Sequence, residues 1–233
     1  MINRDFPTLY DYENLSRVNT VKSDFANNFD YSSVVVNKPW GYEYLWFENS
    51  NVAIWLLSLN KGSSTSLHCH PKKRTSLIVL EGTVKCKLLD SEEVISKGSA
   101  IVLEPCVFHQ TYGLSDNVIL IEVETPPMKG DLVRMKDKYG LERSSYELTN
   151  EYSTDFSEYF YQPMRNKNWN YLDLIIEKKT VISDLASGII IPIGKEEDYF
   201  DFPFFEVGMS IYANDIKTNS STILQSEFLN ITL

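Results

Sequence analysis

Hydrophobic and polar positions alternate in short runs from Val34 to about residue 125. The runs read VVV, YEYLWF, NVAIWLLSLN, SLIVLEGTVKCKLL, SAIVLEP and VILIEVETP, with short polar or Gly-containing segments between them. Runs of this length that are rich in Val, Ile, Tyr and Phe are typical of β-strands. Glu81-Gly82 predicts a tight turn inside the longest run. Many short strands separated by turns predict an all-β fold, an antiparallel sandwich or barrel.

The segments on either side of this region have other patterns. Residues 1–30 are polar and aromatic without a clear period, and we expect an arm or short helix that lies on the barrel or on a partner subunit. Residues 31–143 are predicted to form the barrel. Residues 144–233 contain the strand-like runs YLDLIIEKKTVI, GIIIPIG, FFEVGMSIYA and ILQSEFLNITL. These runs predict a β-rich C-terminal module, either a degenerate second barrel or strands that extend the first sheet.

The composition and net charge of the chain indicate which kinds of binding partner and which cellular location to expect. The net charge of −10 argues against a broad basic face, so we expect no nucleic-acid or anionic-membrane partner. The three cysteines show no C-x-x-C spacing, which makes a disulfide framework improbable. The first residues lack the apolar core of a signal peptide, and no apolar run reaches membrane-spanning length. We therefore expect a cytoplasmic protein.

All three histidines of the chain lie within one stretch of about fifty residues, at positions 68, 70 and 109. Alternate side chains of a strand share a face, so His68 and His70 point the same way and Cys69 points to the other side. A third imidazole from a later strand completes a facial ligand set for a divalent metal such as Zn, Fe, Mn or Ni. This set leaves coordination positions open for water or substrate, as a reactive site requires.

The same stretch resembles the cupins. Their first motif, G-x5-H-x-H-x3-4-E-x6-G, and the glycine and histidine of their second motif are matched here by Gly62, His68, His70, Gly82, Gly98 and His109. Glu104 and Cys106 replace the proline and glycine of the second motif. Thr75 stands where the family has a glutamate, which is normally the fourth metal ligand. The resemblance implies a cupin barrel, also called a double-stranded β-helix or jelly roll, with a metal site that lacks its carboxylate and is either loaded or empty.

Three segments resemble the type II mannose-6-phosphate isomerases more specifically. They are KPWGYEYLW at 38–46, SLHCHPKKRT at 66–75 and DLVRMKDKYG at 131–140. The sequence departs from that family at His68, where the enzymes usually have Gln, at Thr75, where they have Glu, and at Leu141, where they have Arg. The resemblance implies a metal-dependent sugar-phosphate isomerase-like protein. It also implies a homodimer, because cupin barrels commonly pair through strand edges.

An isomerase needs a base that moves a proton between two carbons. Glu122 and Glu124 alternate on one face of VILIEVE. If this face points into an apolar barrel, we expect desolvation to raise the pKa of its carboxyls towards neutrality, which makes Glu122 a candidate base. The alternative is that this face is solvated and that Ile121 and Val123 fill the core. Glu104, near the barrel mouth, is a second candidate base.

Four further residues are candidates for substrate binding. Lys73 and Arg74 are predicted to hold a phosphate group as charge-assisted donors, although a basic run is also typical of a solvated turn. Trp40 and Tyr42 are predicted to line the barrel mouth, although aromatic residues in strands are also typical of a core.

Two other functions stay open at this point. Three histidines without a carboxylate also resemble the iron sites of cupin dioxygenases, in which open positions accept substrate and O2. The third possibility is a non-catalytic sugar-binding cupin module in which the lost glutamate marks lost chemistry.

Overall fold

A computed structural model describes residues 1–18, 29–136, 152–155, 168–171, 174–179, 188–195, 205–215 and 227–232. Its one α-helix is α1 (Leu9–Arg17), and a 3-10 turn spans Ala213–Asp215. The strands are β1 (Ile2–Asp5), β2 (Val35–Lys38), β3 (Gly41–Glu48), β4 (Ala53–Leu59), β5 (Leu67–Cys69), β6 (Arg74–Glu81), β7 (Thr83–Lys87), β8 (Glu92–Ser96), β9 (Ala100–Leu103), β10 (Gln110–Gly113), β11 (Val118–Thr125), β12 (Val133–Lys136), β13 (Tyr152–Ser153), β14 (Asn168–Tyr171), β15 (Leu174–Lys179), β16 (Ile189–Pro192), β17 (Ile211–Tyr212) and β18 (Phe228–Thr232).

Strands β4 to β11 form two facing antiparallel sheets. One sheet contains the order β9-β6-β11-β4 and extends through β3 and β2. The other contains β10-β7-β8, and two isolated bridges, Ser64 to Tyr112 and His68 to His109, join β5 to its β10 side. Consecutive strands cross between the sheets in the pattern of a jelly roll. The all-β prediction, with its double-stranded β-helix barrel, is confirmed.

The larger sheet has two buried faces. Its inner face packs against the second sheet in a cluster that includes Trp55, Leu57, Leu77, Val84 and Cys86. Its outer face packs against apolar residues of β16 and β18 in a separate cluster. The barrel sheet contributes Ile54, Leu56, Ile78, Ile121 and Val123 to this cluster, and the C-terminal strands contribute Ile189, Ile190, Ile191, Leu229 and Ile231. The alternation along each strand therefore separates two different cores.

The described C-terminal strands form their own five-stranded sheet, in the order β14-β15-β18-β16-β17. The last strand, β18, lies in the middle of that sheet and pairs with both β15 and β16. Apolar residues of this sheet pack on the outer face of the barrel sheet. Strand β13 of the same region is the exception, because it pairs with β2 and extends the barrel sheet. Most of 144–167 lies outside the described residues, and the domain boundaries stay predictions.

The N-terminal segment adds a strand and a helix to the barrel. Strand β1 pairs in parallel with β9, and α1 begins after Thr8, whose hydroxyl forms a capping box with Asp11. The buried Asp11 carboxylate also accepts a hydrogen bond from the Phe108 amide at 2.9 Å. The helix is thereby fixed beside the strand that carries His109. No helix in the described ranges has the length and apolar character needed to cross a membrane.

Most strands of the barrel follow the sequence prediction, including the hinge at Glu81 and Gly82 between β6 and β7. Two strands were not predicted. Strand β8, in the segment SEEVISKG, lies outside the predicted runs, and β10 has no apolar run of its own. Within the segment 131–140, β12 pairs with β5.

Gly41, in the KPWG segment, is a backbone requirement of the barrel. Its φ is +145°, and a Cβ at this position would overlap the backbone oxygen of Ser58 on the neighbouring strand. We expect Gly41→Ala to lower the free energy of unfolding by at least about 1–3 kcal/mol, because the β3–β4 pair must shift. Chemical denaturation measures the change.

The matched control is Gly62→Ala. Gly62 also has a positive φ, +77°, but no atom lies within 4 Å of its virtual Cβ. Gly62→Ala should lower the free energy of unfolding only by the cost of a positive φ in a residue with a Cβ, about 1–2 kcal/mol. Equal losses in the two variants would contradict the steric explanation for Gly41.

Candidate metal centre

Backbone pairing between two strands brings His68 and His109 face to face. The His68 amide donates to the His109 carbonyl at 3.0 Å, and the His109 amide donates to the His68 carbonyl at 2.8 Å. Directly opposed residues of an antiparallel pair project from the same face. His70 lies two residues beyond His68 and shares that face, whereas Cys69 packs on the other side with Phe108 and Val133. The predicted convergence of the three imidazoles is confirmed.

Each imidazole is oriented by a backbone carbonyl. Nδ1 of His68 lies 2.8 Å from the Ser66 oxygen, Nδ1 of His70 lies 2.6 Å from the Asp131 oxygen, and Nδ1 of His109 lies 3.0 Å from the Val107 oxygen. A carbonyl oxygen only accepts, so each Nδ1 carries the proton. The Nε2 lone pairs are then the free ligand atoms, in the arrangement that metal-binding histidines commonly show.

The electrostatic environment keeps the three rings neutral. Burial lowers the pKa of His68 and of His70 well below the ordinary value, helped by the charge of His109 on His68 and by that of Lys73 on His70. Burial also lowers the pKa of His109 to about 4, although its hydrogen bond to Val107 opposes this. Neutral imidazole is the form that binds metals, so the site is ready for a cation at pH 7.

The donor set fits a divalent metal ion. The three ligand atoms all lie within 4.8 Å of one another, and Nε2 of His70 is buried without a hydrogen-bond partner. An unpartnered buried nitrogen is costly, and a cation would satisfy it together with the other two lone pairs. Three nitrogen ligands leave positions open for substrate or water. Which metal binds, and whether the site is loaded, stay predictions.

Glu122 lies beside this centre, inside the barrel. Its Oε1 atom is 4.0 Å from Nε2 of His70. Burial raises the pKa of the Glu122 carboxyl to about 7, and the neighbouring Glu124 carboxylate contributes in the same direction. The alternative of a solvated face is wrong. Ile121 and Val123 fill the outer cluster, and the face of Glu122 and Glu124 is the inner face of the barrel.

Comparisons with known proteins give structural likeness at low sequence identity. KdgF from Halomonas sp. is 16% identical with a TM-score of 0.38, and the match covers 44% of this chain and 92% of that one. A protein with a double-stranded β-helix domain from Klebsiella pneumoniae is 15% identical with a TM-score of 0.38, over 41% and 84%. An RmlC-like cupin from Shewanella frigidimarina is 17% identical with a TM-score of 0.35, over 42% and 80%. No protein-family model and no curated protein matches the sequence.

The order of the strands in the two facing sheets is that of a jelly roll, and an isolated bridge joins His68 to His109 beside the β10-β7-β8 sheet. The chain has the cupin fold. The narrower resemblance to type II mannose-6-phosphate isomerases stays a prediction.

Lys73 lies inside the cupin barrel and not on a solvated turn. Its Nζ atom is 2.6 Å from Oε1 of Glu124, and both side chains are 1% exposed. The other residue predicted to bind phosphate, Arg74, lies in a different place. It forms an ion cluster with Arg4, Glu104 and Glu206, with distances of 2.6 to 2.9 Å.

This ion cluster links β1, the cupin barrel and the C-terminal layer. Glu104, the second candidate base, has its carboxylate between Arg4 and Arg74, and no described contact joins it to the histidines. In this arrangement, Glu104 and Arg74 form ion pairs that hold the three parts of the structure together. Their catalytic and phosphate-binding roles are not supported by this placement and stay predictions.

The two aromatic candidates lie on opposite faces of the larger sheet. Trp40 is buried in the inner cluster, at 5% exposure. Tyr42 packs against the outer cluster and stacks with Tyr44, so its side chain is directed away from the histidines. Trp40 is therefore placed with the barrel core, and Tyr42 does not line the cupin mouth.

The inner face also carries a charged group that sequence reasoning missed. Glu43 accepts from Lys129 at 2.8 Å and lies 3.2 Å from Lys38, and Lys129 sits 3.6 Å above the ring of Trp55. Burial opposes ionisation of Glu43, but the two ammonium groups outweigh it and lower the pKa of its carboxyl to about 2. Only the alternation of Glu43 with Tyr42 and Tyr44 along β3 could have indicated an inward carboxylate.

Asp131 is a second residue that the sequence analysis did not single out. Its backbone oxygen accepts from Nδ1 of His70, and its carboxylate accepts from the amides of Lys72 and Lys73 at 2.7 and 3.0 Å. Asp131 thus connects the DLVR segment to the loop that follows His70. The signal was present, because Asp131 is the first residue of a segment that carried the resemblance.

We expect Asp131→Ala to weaken metal binding by about 10–100-fold, because the loop that fixes the orientation of His70 loses both carboxylate hydrogen bonds. Asp131→Asn should keep most of the affinity, since its amide oxygen still accepts. Competition titration of Zn²⁺ against a chromophoric chelator measures the constants. Asp116→Ala, which removes an exposed pair with Lys61, is the control. Unchanged affinity in Asp131→Ala would show that the carboxylate does not position the ligand.

Proposed function

We propose that this cupin is a metal-dependent isomerase that interconverts the aldose and ketose forms of a sugar, with sugar phosphates as the class that the sequence resemblance implies. One observation carries the proposal: the carboxyl of Glu122, whose side chain is 14% exposed, lies 4.0 Å from Nε2 of His70. Desolvation at this position raises the pKa of Glu122 to about 7. A base is most effective when its pKa lies near the working pH.

Different residues of the site have different roles in the proposed reaction. His68, His70 and His109 would hold a divalent cation, which supplies Lewis acidity to the carbonyl and hydroxyl oxygens of the substrate. Glu122 removes the proton from the hydroxyl-bearing carbon beside the carbonyl and returns it to the former carbonyl carbon, by way of an enediolate of the substrate. The hydroxyl proton moves from the oxygen of the hydroxyl-bearing carbon to that of the former carbonyl carbon, which leaves the ketose. The buried Lys73–Glu124 pair lies on the same inner face and fixes the charge distribution around the reacting carbons.

Metal-reconstituted protein should interconvert mannose 6-phosphate or glucose 6-phosphate, or their unphosphorylated sugars, with the corresponding ketose. Glu122→Gln should lower kcat by about 10²–10⁴-fold, the usual contribution of a general base. Glu92→Gln, a change on an exposed strand, is the matched control. A coupled spectrophotometric assay measures the rates. No conversion of any of these sugars would contradict the proposal, and sugar binding without turnover would favour the non-catalytic module.

The value of kcat/KM should also increase with pH. Glu122 accepts a proton only when ionised, so kcat/KM should rise as the pH increases through about 7. Bound divalent charge favours the carboxylate, which moves this rise to lower pH. A pH profile from 5 to 9 measures the acid limb, and Glu122→Gln should remove it. A profile that is flat across this range in the wild-type protein would exclude Glu122 as the base.

A second candidate function rests on the composition of the ligand set. Among the described residues, the metal-binding group contains three histidines and no carboxylate. This set is similar to that of three-histidine iron dioxygenases. Protein loaded with Fe²⁺ should then consume O2 in the presence of a small thiol or diketone, such as cysteine or acetylacetone. An oxygen electrode measures the uptake, and a rate equal to that of free iron would exclude this function.

A further inference from the structure

Three neighbouring strands carry buried polar atoms without hydrogen-bond partners on the inner face of the barrel. They are Nε1 of Trp55 on β4, Oγ1 of Thr75 on β6 and Oε2 of Glu124 on β11. The residues are 2%, 0% and 1% exposed. Each such atom costs about 1–3 kcal/mol when it stays unpaired, and native proteins rarely bury several together without water or a ligand.

The strand register places these groups side by side. Glu124 is the direct partner of Thr75 on β6 and of Ala53 on β4, and Trp55 follows Ala53 on the same face. Directly opposed Cβ atoms lie about 4.5–5.5 Å apart. The group also adjoins the metal centre, because Glu122 shares the face and lies 4.0 Å from His70.

The hydrogen-bonding character of the three atoms selects the ligand. The Trp55 indole only donates, the Thr75 hydroxyl donates or accepts, and the Glu124 carboxylate only accepts. Glu124 is paired with Lys73 at 2.6 Å through Oε1, which leaves Oε2 for a donor. A hydroxyl group both donates and accepts and therefore satisfies the set. A phosphate or carboxylate group would face the negative Glu124 oxygen.

Four of the cations near this face are paired with carboxylates. Lys73 is bound to Glu124, Lys129 and Lys38 share Glu43, and Arg74 lies in the cluster with Glu104 and Glu206. A bound phosphate would have to break one of these ion pairs, whereas a neutral ligand leaves all of them intact. The charge arrangement around the subsite therefore disfavours an anionic group there.

We propose that Trp55, Thr75 and Glu124 form a hydroxyl-binding subsite beside the histidines, and that its ligand is a neutral polyhydroxylated molecule, a free sugar or a polyol. The claim that the isomerase acts on a neutral sugar rests on the proposed function. The claim that the subsite binds a neutral sugar or polyol depends on neither the metal nor the reaction.

Isothermal titration of the metal-free full-length chain tests the proposal, with D-mannose, D-fructose and D-sorbitol as neutral probes. Mannose 6-phosphate and inorganic phosphate are the anionic probes. At least one neutral probe should bind, and about tenfold or more tightly than either anion. Failure of all neutral probes to bind, or tighter binding of an anion, would overturn the proposal.

Thr75→Val provides the sharpest variant, because it keeps the shape of the side chain and removes one unpaired hydroxyl. The neutral probe should bind about tenfold more weakly, while the melting temperature of the free protein stays the same or rises. Thr83→Val is the matched control, since that hydroxyl lies outside the barrel next to Ser96. Unchanged binding in Thr75→Val would overturn the subsite.

The two proposals fail in different ways. Binding of a neutral sugar by a protein that never isomerises it when metal is added would refute the isomerase and keep the subsite. Isomerisation of a sugar phosphate, with no binding of the neutral probes, would refute the subsite and keep the isomerase.

Discussion

The site depends on hydrogen bonds between imidazole Nδ1 protons and backbone carbonyls. Ser66 and Val107 lie two residues before His68 and His109, so the chain segment that leads to each histidine orients it. His70 has passed the end of β5 and relies on the carbonyl of Asp131, more than sixty positions away. With each Nδ1 bound to a backbone carbonyl, the three Nε2 lone pairs remain for a cation, and the ligand atoms lie within 4.8 Å of one another. The ligand geometry is set by the backbone of the fold.

A second constraint explains how the barrel tolerates charge inside. The larger sheet buries an apolar face on each side, and the C-terminal layer supplies the partner for the outer face. Burial of aliphatic side chains on that outer face stabilises the sheet independently of its inner face. The inner face can then carry Glu43 and Glu124 with their lysine partners, and Glu122 beside His70, at the desolvation cost that buried ions have. The C-terminal layer thus contributes to a site that it does not line.

The sequence predicted the features that depend on local pattern. Strand β11, the turn at Gly82 and the shared face of His68 and His70 all follow from alternation and spacing within a few residues. The locations of Lys73 and Arg74 do not follow from any local pattern. A basic run reads as a solvated turn, and only the fold reveals that Lys73 meets Glu124 inside the barrel while Arg74 meets Glu206, 132 positions away. Such pairings depend on tertiary contacts that no local pattern encodes.

Anomalous diffraction from crystals loaded with Zn²⁺ or Mn²⁺ tests the central claim most directly. We predict one ion per chain inside the barrel, bound by Nε2 of His68, His70 and His109, with Zn–N distances of about 2.0–2.1 Å. At least one further coordination position should be open to solvent. An ion bound through Nδ1 or outside the barrel, or no ion at all at saturating metal concentration, would contradict the account.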